Sequence, residues 1–131
     1  MATRRMFIQS AALAAGVTGA TSTVTPAGAA QGAGQDQVIV FAEFYAKPGK
    51  ENELRKLLLG LIGPTKKDKG YVQYDLHADN ENPLHFFFVE KWTSKALLDV
   101  HLAAPHLTAF AAKANDLLAQ PRRVVMGRRI G

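Results

Sequence analysis

The chain has 131 residues, no cysteine, 47% hydrophobic and 21% charged residues, and a formal charge of +5. This length suits one domain rather than two, the composition is globular rather than disordered, and the lack of cysteine excludes disulfides, thiolate nucleophiles and cysteine-bound zinc. An excess of 16 basic over 11 acidic residues raises the question of a nucleic-acid partner, which the placement of the charge must answer.

The N-terminal stretch reads as a separate object. Arg4 and Arg5 stand at the front, and no charged residue occurs from Met6 to Gln35. A basic start, an apolar middle and the small-residue end Ala27-Gly28-Ala29 form the pattern of an export signal, with cleavage expected after Ala29. Thr3-Arg4-Arg5-Met6-Phe7-Ile8-Gln9 resembles the twin-arginine form of such a signal, with Gln9 where lysine is common. The resemblance implies export of the folded chain to the periplasm or outside the cell. Ser10 to Val24 is too rich in Gly and Thr for a good membrane-spanning helix, so contact with the membrane is expected only in transit. A disordered Ala/Gly-rich tail is the alternative. Removing residues 1–29 leaves 14 basic and 11 acidic residues, a charge of +3. That charge is scattered apart from Lys66-Lys67-Asp68-Lys69, Arg122-Arg123 and Arg128-Arg129, so nucleic acid is not an expected partner. The lysine run reads as a solvated face.

Residues 30–36 read as a flexible run-in, and residues 37–131 as one domain. Val38 to Tyr45 is rich in β-branched and aromatic residues and reads as a strand. Lys47-Pro48-Gly49-Lys50 is turn chemistry. Leu54, Leu57, Leu58, Leu61 and Ile62 then mark one face of a helix that Gly70 stops. Tyr71 to His77 is a second strand, Ala78 to Pro83 a polar loop, and His85 to Trp92 a third strand. Thr93 or Ser94 can cap a helix running to Leu102. Pro105 suits the first turn of the next helix, which carries Leu107, Phe110, Ala111, Ala114 and Leu118 and ends at Gln120-Pro121. Val124 to Ile130 is the last strand. This βαββαβ order predicts an α+β, ferredoxin-like fold with a four-stranded antiparallel sheet covered by helices on one face. The other face is expected to meet a second copy, giving a homodimer through sheet faces.

Several segments together resemble the antibiotic biosynthesis monooxygenase-like family: Val38-Ile39-Val40-Phe41-Ala42-Glu43 before Lys47-Pro48-Gly49-Lys50-Glu51, then Gly70-Tyr71-Val72-Gln73-Tyr74-Asp75-Leu76-His77, Phe88-Val89-Glu90-Lys91-Trp92 and Leu98-Asp99-Val100-His101-Leu102-Ala103-Ala104-Pro105-His106-Leu107. The similarity is greatest to its quinol monooxygenase subgroup. It implies a dimeric α/β barrel and cofactor-independent oxidation of a small aromatic quinol or anthrone by dioxygen. Haem degraders with similar barrels use a first-strand asparagine with a tryptophan and a histidine; Trp92 and His101 could stand for two, but Val38 to Tyr45 has no asparagine.

Such chemistry needs an apolar cavity and one base titrating near neutrality. His101 follows Leu97 by one helical turn, on the face turned to the sheet. His106 lies in the first turn of the next helix, where the positive helix end disfavours imidazolium. Either could be the base; hydrogen-bonded core packing of His101, or packing of His106 against Phe110, is the alternative. Glu90, among Phe86, Phe88 and Trp92, or Glu43, between Phe41 and Tyr45, could orient a histidine as triad carboxylates do, or simply form ion pairs. Tyr74 and Trp92, with Phe88 and Phe110, offer aromatic surface for substrate or for the core. His77 and His85 flank the polar loop and are expected to face solvent. No metal is expected, because His101 and His106 lack a clear third ligand and the helical spacing of H-E-x-x-H. Phosphate loops, the dinucleotide fingerprint and the Gly-x-Ser-x-Gly elbow are absent, so no bound cofactor is expected. A non-catalytic binder of a small hydrophobic ligand, or an isomerase using the same histidine, remains a competing reading.

Overall fold

The computed structural model describes residues 36–131. The expected export signal and nearly all of the run-in lie outside the described residues. Four strands, β1 (Val38–Tyr45), β2 (Tyr71–Ala78), β3 (His85–Trp92) and β4 (Arg123–Gly127), form one sheet in the order β2-β3-β1-β4. Every neighbouring pair is antiparallel, which is the ferredoxin-like arrangement.

Helices α1 (Glu51–Leu59), α2 (Ile62–Thr65), α3 (Lys95–Leu102) and α4 (Pro105–Ala114) lie between the strands in sequence. Leu54, Leu58, Leu98, Leu107 and Phe110 from the helices join Val40, Ala42, Phe44, Phe88 and Trp92 from the sheet in one core. The single helix expected to carry Leu54 to Ile62 on one face and run on to Gly70 is two pieces, the second ending at Thr65. Gly60 favours a break, and Pro64 has no N–H to continue the ladder, so it is tolerated only in the first turn of α2. Gly70 then reverses the chain at φ +85°, and a Cβ there would lie 2.6 Å from Leu97 Cβ. Glycine is required on both counts. Ser94 caps α3, its Oγ accepting from the Leu97 N–H at 3.2 Å.

Helix α4 stops at Ala114 instead of continuing through Leu118. The chain instead pairs with the end of β1: Lys47 N–H donates to Leu117 O at 2.8 Å, and Ala119 N–H to Tyr45 O at 2.8 Å. Strand β4 ends at Gly127, short of Ile130, because Gly127 already faces Ile39 and β1 begins one residue earlier. A bulge between Tyr71 and Gln73 matters for the site. It opposes Tyr71 to Trp92 and Tyr74 to Glu90, so two tyrosines three apart both share the helix-side face.

Candidate active site

Alternation along β3 turns Phe86, Phe88, Glu90 and Trp92 toward the helices. Register then aligns Tyr74 of β2, Glu90 of β3 and Val40 of β1 in one row across the sheet. Above that row α3 places His101, which is 1% exposed. Its ring lies 4.4 Å from the Trp92 ring and 5.5 Å edge-on from Tyr74, which itself stacks on Phe88 at 4.2 Å. Tyr74, Phe88, Glu90 and His101 line a small, largely enclosed cavity, with a free volume of about 10 Å³, room for one water molecule.

Glu90 does not orient a histidine. Its Oε1 accepts from Trp92 Nε1–H at 2.9 Å. Burial pushes its carboxyl up to about 7, against the opposing pull of Trp92 and Arg122. Burial and the nearby Glu90 charge raise the Tyr74 phenol, which stays a proton donor. Burial lowers the basicity of His101, partly offset by Asp68, so the imidazole is held neutral.

The partner of His101 is Asp68. His101 Nδ1–H donates to Asp68 Oδ2 at 2.8 Å, and His106 Nε2–H donates to the same oxygen at 2.9 Å. The first bond puts the proton on Nδ1 and leaves Nε2 as the basic atom of a ring that lines the cavity. His106 is about one-fifth exposed and sits on the open side, lining a shallow groove with Phe110, Lys56 and Lys113. Phe110 packs edge-on against Phe44 at 5.7 Å and lines that groove rather than the enclosed cavity.

Three expectations need correction. Asp68 is not part of a solvated lysine face: its carboxylate is four-fifths buried and joins the two histidines. It also supplies the third ligand-type atom whose absence argued against a metal, since one atom each from Asp68, His101 and His106 lies within 4.8 Å of the others. The two hydrogen bonds account for this spacing without a cation. His85 is buried rather than solvent-facing. Its ring stacks on Tyr45 at 4.2 Å, and its nitrogens bond Asp79 Oδ2 at 2.8 Å and Glu43 Oε1 at 2.9 Å.

Glu43 therefore belongs to the opposite sheet face, away from His101. It also accepts from Arg123 Nη1–H at 2.8 Å, and that guanidinium holds its carboxyl below the usual range. The sequence pattern did not single out Asp68. The available signal was a lone acid in a basic run beside the Gly70 turn, which curls the chain back under α3.

The family described as antibiotic biosynthesis monooxygenase matches residues 37–113. An uncharacterized protein of Synechocystis is 32% identical over 89 residues, 68% of this chain, and the match spans only 60% of that protein. The Mycobacterium tuberculosis protein named "Putative monooxygenase Rv0793" is 33% identical over 68% of this chain and 87% of its own length. Its solved structure superimposes with a TM-score of 0.69 over 72% of this chain and 96% of that one. The structure of PA3566 from Pseudomonas aeruginosa, 28% identical, gives 0.70 over 75% and 98%.

Proposed function

The chain belongs to the antibiotic biosynthesis monooxygenase family, and on that premise we propose an exported, cofactor-independent monooxygenase acting on a small aromatic quinol or anthrone. The observation that carries this reading is the Asp68–His101 pair beside Glu90 at an enclosed, mostly apolar cavity. The name carried by the mycobacterial relative supports the reaction type.

In this mechanism the substrate ring lies against Tyr74 and Phe88. His101 Nε2 takes the proton of its hydroxyl or acidic C–H, and Asp68 stabilises the resulting imidazolium through Nδ1–H. The mostly apolar cavity keeps the substrate anion beside dioxygen. Dioxygen bonds to the ring carbon as a hydroperoxide; that carbon then loses its hydrogen as the O–O bond breaks, so one oxygen stays as a carbonyl and the other leaves as water, the substrate supplying the electrons. Glu90, poised near neutrality, can return a proton to the departing oxygen. Asp68 and His106 continue the hydrogen-bonded line toward the surface, giving the proton a way out between turnovers.

Export rests on Arg4-Arg5 and Ala27-Gly28-Ala29, with residues 1–29 removed on the way to the periplasm or beyond. A homodimer is supported by the outer sheet face, where Phe41 and Phe87 pack 5.2 Å apart beside the exposed Val125.

The test follows dissolved oxygen while chelator-treated protein meets a panel of hydroquinones and anthrones, with spontaneous autoxidation subtracted. Saturable uptake lost in His101→Gln is the expected result. Uptake at background across the panel would turn the reading toward a binding protein or an isomerase.

A further inference from the structure

Arg122 and Arg123 are consecutive residues with opposite fates. Arg123 lies on the outer sheet face and is tied to Glu43 at 2.8 Å. Arg122 turns to the helix side and lines the enclosed cavity, and it has no ion-pair partner among the described residues. Its positive field reaches three groups there, lowering the pKa of Tyr74, Glu90 and His101.

The cavity as it stands holds about one water molecule. An aromatic ring needs a space on the order of 150 Å³, so part of the wall must move. Of the residues that line it, Arg122 alone is exposed; Leu61, Leu107 and the sheet residues are buried, and Leu102 and Val124 are half-buried. Displacing a buried Leu returns its apolar side chain to water, whereas an exposed arginine swings aside at little cost. The least costly opening is therefore at Arg122. Once a ring has passed, the guanidinium stands over it with five donors in a planar fork, suited to a carboxylate.

We propose that Arg122 is the gate of the cavity and its anion clamp, and that the substrate is an aromatic acid whose ring enters the cavity while its carboxylate stays at the mouth. This rests on the aromatic-substrate reading given above and narrows it. Neutral quinols are then poorer ligands than their carboxylated counterparts. Two adjacent arginines also allow an internal control, since Arg123 serves the other face.

The experiment is isothermal titration of the full chain, under nitrogen and at low salt, with three probes: 1-hydroxy-2-naphthoate, the isosteric 1-hydroxy-2-naphthamide, and 1,4-naphthohydroquinone. The wild type should bind the carboxylate about tenfold or more tighter than the amide, a preference worth ~1.4 kcal/mol. Arg122→Gln should abolish that preference and keep the wild-type melting temperature, while Arg123→Gln should retain the preference. Equal binding of acid and amide, or a preference that survives Arg122→Gln, overturns the clamp. If the neutral hydroquinone binds and the acid binds no tighter, the aromatic-substrate reading stands and the clamp alone falls. If none of the three binds, both fall together.

Discussion

Replacing Glu90 by Gln isolates the electrostatics of the cavity, because the amide keeps the shape and still accepts from Trp92 Nε1–H. Burial raises the Glu90 carboxyl from 4.5 to about 7. The unfolded chain releases this proton near pH 4.5, while the folded protein holds it until about pH 7. Stability from the protonated group is complete below the lower value and is lost as pH rises through the upper one. The gap corresponds to ~3 kcal/mol once pH exceeds both. The glutamine variant has no such loss. Urea unfolding of the full chain, followed by the fluorescence of its single, fully buried tryptophan, Trp92, measures the difference directly. The advantage of Glu90→Gln over wild type should widen by about 2.5 kcal/mol between pH 5 and pH 8. His101 gives the opposite slope: its lowered basicity means stability is lost as pH falls below 6.5. Both proteins share that term, so subtraction removes it. A stability difference that does not vary with pH would refute the burial argument.

Asp68→Ala leaves the buried His101 Nδ1–H without its acceptor and should cost about 1–3 kcal/mol in urea unfolding. Oxygen uptake with any accepted quinol should fall about 100-fold or more as His101 loses its fixed tautomer, and ¹⁵N NMR should show that loss directly. Gly70→Ala combines a left-handed φ with a Cβ 2.6 Å from Leu97 Cβ, so about 2–4 kcal/mol of destabilisation is expected by chemical denaturation, and less than 0.5 kcal/mol would contradict the geometry. Light scattering at micromolar concentration should give twice the chain mass, and Phe41→Asp with Val125→Glu should halve it; a monomeric wild type would count against the sheet-to-sheet dimer.

What could be read from the sequence divides along a physical line. Strand alternation is local, so the order of residues in β3 is enough to put Glu90 on the core face with Phe86, Phe88 and Trp92. The helical turn from Leu97 to His101 is equally local. Alternation also separated Glu43 from Ala42, but not which face of β1 met the helices. That choice is set by the register with β3, which pairs Val40 with Glu90 and Ala42 with Phe88 on the helix side and Glu43 with Phe87 on the other, and it sends Glu43 to His85 and Arg123 instead of to His101. Asp68 was beyond such patterns for a further reason. It sits in no regular element, and its side chain reaches residues 33 and 38 positions away. What brings it there is the broken helix at Gly60 and Pro64, then the left-handed turn at Gly70 that tucks the segment under Leu97. A charge run can be read as solvated only if its backbone stays on the surface. Here one acid in that run is drawn inward by a turn that only glycine permits, and the buried base depends on it.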